Sequence, residues 1–509
     1  MFMDEHRRKV WDDIRQQDFR LLGKYLTPKV FSEAAQRAGL VLGKGPLYAV
    51  NLVWLGILAA VHISKNFADV LSLTLKLLAD QEGFAATPVG RHQRHGQRRS
   101  SRRRRRRSKH DPRRQRRTSR CRRSKHDPRR DDPTVVSEEA FTKARRLLPM
   151  GYWMALILVL CERFQEAHGE RLCWNGFRLL ALDGTCIDLE NWKALRAHYG
   201  TANNGQGKHK TQARLVMLQF PLARLPYVYA VTPLATGEVT VASRLVAHLR
   251  RNDLVLMDRG YFSYGLFWRI QERGAYFAIR LKKGIHLRTL RQLGHKDCLV
   301  RWQPADTRHQ WKKAGLPPAI ELRVIHYQIR GFRAGALVTN VTDPGRIARE
   351  DWVRLTTAHE AGRPFQPGLY HRRWEIETTF AELKVTQGME GSLRSRTPDG
   401  IEYEIAGHVL LYLLVRWLMV EAAIKHGHDP LRLSFAEALR ELDDMKVTLL
   451  TSSPAWVARV LLPRLLQRIA SHLVPLRPGR HYPRPKDNKV KDRGHGQKQQ
   501  PAKLKSRQG

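Results

Sequence analysis

Cysteine is scarce and odd in number: Cys121, Cys161, Cys173, Cys186 and Cys298 are the only five in 509 residues. None forms a Cys-x-x-Cys pair, which argues against a disulfide framework and against a zinc ribbon, and the set fits a reducing cytoplasm. An apolar N-terminal stretch is missing too, because MFMDEHRRKV is polar where a secretory signal is apolar. The longest apolar run noted, Leu47 to Ile63, is interrupted by Asn51 and His62. It is short for a membrane span, which needs about 20 residues, and reads as a buried core helix with no membrane association. Negative charge is the other deficit: 47 Asp and Glu against 91 Lys and Arg leave a net charge of +44. That is far more than solubility requires, and it makes a polyanion, nucleic acid first, the expected partner.

The charge is concentrated. Residues 91–130 hold 21 Lys and Arg against 2 Asp, and residues 476–509 hold 11 against 2. Both stretches are too poor in apolar residues to fold alone and read as a disordered linker (91–134) and a disordered tail (476–509). Within the first, RRSKHDPRR occurs twice, at 106–114 and 122–130, as a local duplication suited to nonspecific phosphate clamping or merely tolerated. The whole chain is 42% hydrophobic, enough for a sizeable core.

Residues 1–90 read as a small helical N-terminal domain, with helices over Ser32–Ala38, Leu47–Ile63 and Phe67–Leu78. From Phe177 the pattern turns to strands. Leu179–Leu189, Ala213–Leu222 and Tyr227–Leu234 are strand-like, Val239–Arg250 helical, Asp253–Met257 a strand, Tyr264–Arg273 helical, and Ala275–Leu281 a strand. The order β-β-β-α-β-α-β predicts an α/β domain over 135–475. A β-rich block at about 284–342 is inserted before the next long helix, which begins near Pro367.

Two of these strands end in the same way. LALD is followed by Gly184 and VLMD by Arg259 and Gly260, so Asp183 and Asp258 each sit at a strand end where the backbone stays open to a ligand. On neighbouring strands they would share one divalent cation, and oxygen donors of this kind suit magnesium or manganese. Singly, each is weak evidence, since an aspartate at a strand end is usually a turn former or a helix cap. A third acid lies in Tyr370–Lys384, YHRRWEIETTFAELK. At 100° per residue Tyr370, Arg373, Glu377 and Lys384 fall within a wedge of roughly 60°, beside an apolar stripe of Leu369, Ile376, Phe380 and Leu383. A solvated amphipathic helix with ordinary ion pairs gives the same pattern.

The spacing Tyr, two residues, Arg, three residues, Glu, six residues, Lys resembles the signature of bacterial insertion-sequence transposases of the DDE class. LDGT at 182–185 and DRGYFSY at 258–264 resemble that family's two aspartate regions, in the right order. The similarity spans roughly residues 145–475. The resemblance implies a ribonuclease-H-like catalytic domain with the β-rich insertion before the glutamate helix. It implies that Asp183, Asp258 and Glu377 are the catalytic and metal-binding residues, holding two Mg2+ or Mn2+ ions. The expected reaction is metal-dependent cleavage of transposon ends followed by strand transfer. Tyr370, Arg373 and Lys384 would grip DNA phosphates. One of Trp302 and Trp311 would stack on an exposed base near the cut, unless both simply pack the insertion. The implied partners are double-stranded DNA, as terminal inverted repeats and target, and a second copy in the active complex. The arginine repeat is not part of the family pattern. A nuclease or resolvase of the same fold would use the same acids, and a catalytically inactive DNA-binding relative would keep the charge without the chemistry.

Overall fold

The computed structural model describes residues 24–42, 49–61, 138–203, 209–303, 315–328, 334–353, 368–451 and 454–475. The arginine tract, the helix expected over Phe67–Leu78, Trp311 and the basic tail lie outside these residues. All of the following concerns the described residues.

Helices α1 (Pro28–Arg37), α2 (Ala49–Val61), α3 (Glu138–Leu147) and α4 (Met150–His168) come first. Thr27 caps α1 by accepting from the Val30 amide, with Pro28 at the first helical position where its missing N–H costs nothing. The described pieces of residues 1–90 are therefore helical, and they share their apolar core with the later chain. The next elements are β1 (Cys173–Trp174), β2 (Phe177–Leu189), α5 (Lys193–Tyr199), β3 (Thr201–Asn203), β4 (His209–Phe220), β5 (Leu225–Pro233), α6 (Glu238–Leu245), β6 (Asp253–Met257), α7 (Tyr264–Glu272) and β7 (Tyr276–Arg280). The strands read from the sequence appear with boundary shifts of a few residues. The helix read over Val239–Arg250 closes early, its last turn tightening into a 3-10 segment, Val246–His248.

β2 and β4 pair antiparallel, as do β4 and β5, whereas β6 joins β2 in parallel and β7 joins β6 in parallel. The central strands are buried on both faces, which is why LVLM carries no polar alternation. The inserted block supplies β8 (Arg288–Gly294), β9 (Asp297–Trp302), β10 (Ile320–Tyr327) and β11 (Gly335–Thr339). It extends the sheet containing β6 and β7: β11 pairs with β7, and the order runs β3-β4-β2-β6-β7-β11-β10-β9-β8 in an 11-stranded sheet.

After α8 (Arg349–Val353) come α9 (Glu375–Ala381), α10 (Pro398–Lys425), α11 (Phe435–Thr451) and α12 (Leu462–Ser471). Sequence periodicity gave no sign of α10, because its 28 residues are apolar all round rather than on one stripe. It is long and apolar enough to cross a membrane, yet 94% of its most apolar window is buried inside the protein. It packs against α2, α4, α12 and β5. The contact with α2 is backbone to backbone: a Cβ on Gly407 would collide with the Gly56 carbonyl, and the Tyr403 hydroxyl donates to the carbonyl of Leu52.

Candidate active site

Parallel pairing sets the first two acids. Leu182 stands opposite Met257 in the β2–β6 register, so the next residues, Asp183 and Asp258, lie side by side at the ends of adjacent strands. Both project from the sheet face that carries Leu179 and Leu256, by strand alternation. Asp183 Oδ1 accepts from the Gly184 amide at 2.8 Å, and Asp258 caps the following turn by accepting from the Gly260 amide at 3.4 Å. Gly184 is fixed by crowding: a Cβ there would lie 3.1 Å from the Tyr261 hydroxyl and 3.4 Å from Val216.

The signature segment differs from the single regular helix expected. Leu369–Trp374 is a 3-10 turn, α9 follows, and Glu382–Thr386 widens into a π turn. The apolar stripe is nevertheless as read, with Leu369, Ile376, Phe380 and Leu383 all buried. Arg373 Nη1 donates to Glu377 Oε1 at 2.9 Å and to Asp183 Oδ2 at 3.4 Å, so one guanidinium ties the third acid to the first. The Tyr370 hydroxyl donates to the Met257 carbonyl at 2.9 Å, pinning the segment to the residue before Asp258. Lys384 Nζ donates to the Cys186 carbonyl at 2.7 Å and pairs with Glu390 at 3.3 Å. The three residues expected to grip phosphates thus all have partners within the protein, and Arg373 is only 5% exposed.

A second set of bonds, which the sequence reading missed, holds this segment from behind. Arg224, at the β4–β5 turn, bonds Glu375 at 2.7 Å and Glu382 at 3.0 Å, while buried Arg416 of α10 pairs with Glu382. Arg224 has φ 51, a left-handed conformation that costs a non-glycine residue free energy. Tyr412 also donates to Glu382, at 2.6 Å. Glu382 is the first residue of the π turn, a kind of irregularity often found at functional sites.

The expectation for Trp302 is corrected. It is 6% exposed, with its ring packed at 5.1–5.7 Å from Phe262, Tyr264 and Phe267 on the opposite face of the sheet from Asp183. Alternation places Cys298, Val300 and Trp302 inward together, so the ring packs the insertion against α7 and presents no face to DNA. The exposed aromatic near the acids is instead Trp374, 44% accessible, with Arg373 4.6 Å over its ring.

Burial pushes the Asp183 carboxyl up to about 6, and the nearby charges of Glu377 and Asp258 add to the rise. The Gly184 amide and Arg373 oppose it without cancelling it. Among the described residues no three His, Cys, Asp or Glu side chains stand in a metal-holding arrangement, and the Arg373 guanidinium lies between Asp183 and Glu377. The donor chemistry is nevertheless that of a hard divalent cation: Asp183 and Asp258 end adjacent strands, and Arg373 ties Glu377 to Asp183.

The transposase DDE domain family matches residues 174–414, a span containing all three acids. The chain is 30% identical over 322 residues to the transposase InsG for insertion sequence element IS4 of Escherichia coli (strain K12), covering 61% of this chain and 68% of that protein. A solved piggyBac transposase synaptic complex with hairpin DNA is 10% identical, matching 58% of this chain to 57% of that one at a TM-score of 0.29, a likeness that carries no argument. With a relative at this identity and coverage, and with the family's domain lying over the strand-end acids, the chain belongs to the IS4-like DDE transposases and is a DNA transposase.

Proposed function

We propose that Asp183, Asp258 and Glu377 carry out cleavage of transposon ends and strand transfer, and that the sheet around them is a ribonuclease-H-like core. The observation carrying the proposal is the shared position of Asp183 and Asp258 at the ends of parallel neighbours, with Glu377 joined to Asp183 through Arg373. Three antiparallel strands (β5, β4, β2) followed by two parallel ones (β6, β7) support the core assignment.

The three carboxylates would hold Mg2+ or Mn2+, two ions in all, and the chemistry supplied there is activation of the attacking hydroxyl and neutralisation of the leaving oxygen. The protein's own residues set the stage. Tyr370 and the Arg224–Glu382–Arg416 bonds hold the Glu377 segment against the strand ends. Arg373 keeps a cation beside Asp183 and Glu377, where a phosphate would sit, and its planar fork suits two phosphate oxygens. The substrate is double-stranded DNA, as terminal repeats and target. Joining two ends calls for at least a dimer in the active complex, working in the cytoplasm.

The test uses end-labelled DNA from the element. Asp183→Asn, Asp258→Asn and Glu377→Gln should each lower Mg2+-dependent nicking and strand transfer by ~10³-fold or more while leaving DNA binding intact. Full activity in any one variant would remove that residue from the assignment. Nicking without any strand transfer in the wild-type protein would instead identify a nuclease or resolvase.

A further inference from the structure

The far edge of the sheet carries a surface that the catalytic reading leaves unused. From Arg280 through Trp302 there are seven Lys and Arg, and Asp297 is the only acid. Asp297 is buried and bonded to Arg323, so it offsets nothing outside. β8 is the last strand of the sheet, and six of its seven residues are exposed.

In a regular strand Arg288 and Arg291, three positions apart, would point to opposite faces. Here the register shifts between Thr289 and Arg291: Arg288 stands opposite Arg301, and Arg291 opposite Leu299. Directly opposed residues share a face, and Leu299 and Arg301 are two apart on β9. The bulge therefore turns Arg288 and Arg291 to the same side, with Arg301 beside them, which is what bulges do when they re-aim a side chain. Arg301 is already paired with Glu321 at 2.9 Å, leaving Arg288 and Arg291 as the cations of interest.

That side can be traced back along the sheet. Leu299 is opposite Arg323, which shares a face with Ile325; Ile325 is opposite Leu337, and the same face runs through Ala278 and Leu256 to Leu179. It is the face from which Asp183 and Asp258 project. Six strand steps separate β2 from β8 and five separate β6 from it. At ~4.8 Å per step the basic edge lies about 25–30 Å from the acids.

We propose that Arg288 and Arg291 form a second DNA-contacting surface, binding backbone phosphates of the duplex about 7–9 base pairs from the position held at Asp183 and Asp258, at ~3.4 Å per base pair. The distance rests on the assignment of those acids as the cleavage site; the surface itself does not. Phosphate contacts of this kind set register and affinity and carry no sequence preference.

The experiment compares wild-type protein with the double variant Arg288→Gln/Arg291→Gln, measuring affinity for a fluorescent random-sequence duplex across a salt series without divalent ion. The double variant should bind roughly tenfold more weakly near physiological salt, and its log K against log salt slope should be shallower by about two. Its Tm should match wild type, since both side chains are solvent-facing. Phosphate ethylation interference on a cleaved transposon end should find Arg-dependent contacts about 7–9 base pairs from the cut. An unchanged slope overturns the surface, as does a change in the oligomeric mass of the free protein, which would make β8 an edge for pairing between copies. Interference mapping elsewhere overturns the path. Asp183→Asn, run alongside, should keep the wild-type slope while losing cleavage; if it still cuts, the assignment of the acids fails and the slope result for the edge still stands.

Discussion

Asp183 and Arg373, 190 residues apart in the chain, meet with Nη1 3.4 Å from Oδ2, and the same nitrogen is 2.9 Å from Glu377. A cation supplied by the protein thus sits between two of the acids and partly offsets their repulsion. The contact couples the spacing of the signature to the end of β2, since Arg373 and Glu377 stay one turn apart while reaching toward the strand.

The Asp183 carboxyl, raised to about 6 from an ordinary 3.8, makes stability depend on pH. A carboxyl whose native pKa is raised binds its proton more tightly folded than unfolded. Its protonated form therefore favours the native state at low pH, and that contribution is lost as pH climbs through about 6. In a chelator, the Tm of wild type relative to Asp183→Asn should fall as pH rises from about 4 to about 6 and then level off. A difference independent of pH would show that Asp183 is not in this environment.

Gly184 and Tyr261 should be energetically coupled, because a Cβ at 184 would lie 3.1 Å from the phenol oxygen. Gly184→Ala should cost about 1–3 kcal/mol. Tyr261→Phe removes the crowding atom, a buried hydroxyl without a hydrogen-bond partner, and should recover part of that loss in the double variant. Strictly additive unfolding free energies would refute the contact.

Glu382→Gln should destabilise by about 3–5 kcal/mol, because it strips the buried Arg416 guanidinium of its charged partner. Arg224→Gly removes one of the two cations on Glu382 while relieving the left-handed strain, so its Tm should fall less. If that clamp positions Glu377, Arg224→Gly should lower kcat for nicking with little change in KM. Equal Tm losses for the two variants, or an unaltered kcat, would argue against it.

The two tryptophans should separate. Trp302→Ala should cost about 3–5 kcal/mol of stability, as expected for a large ring removed from a packed cluster. Trp374→Ala, at an exposed ring beside Arg373, should leave Tm nearly unchanged and weaken binding of DNA ends carrying an unpaired base by ~10-fold, a stacking contact of about 1–3 kcal/mol. Equal end-binding losses in both, with Tm intact, would restore Trp302 as a DNA contact.

The parts legible in the sequence were those governed by local pattern. Asp253–Met257 reads as a strand because five apolar or strand-starting residues are followed by Asp-Arg-Gly, and the structure begins and ends it at those residues. The stripe Leu369, Ile376, Phe380, Leu383 was readable because it survives modest changes in helical winding. The switch from 3-10 to α to π was not readable, since the bonds that accompany it come from Arg224 and Arg416, 158 and 34 residues from Glu382. Nor was the insertion's place in the sheet, because a strand's neighbours are set by long-range pairing: β11 joins β7 across the whole inserted block. Trp302 failed for a related reason, as alternation tells which residues share a face and not which face is covered.

The embrace of α10 by α2 has a consequence for synthesis. Residues 49–61 leave the ribosome long before residues 398–425, yet the Gly56–Gly407 crossing and the Tyr403–Leu52 bond make each part of the other's packing. Glu382 and its neighbours likewise wait for Arg416. A chain released before α10 would retain the arginine tract at 91–130, and so an attraction to DNA, without the scaffold behind the acids. The packing of α2 and the bonds behind Glu382 are thus complete only once the chain has been translated through α10.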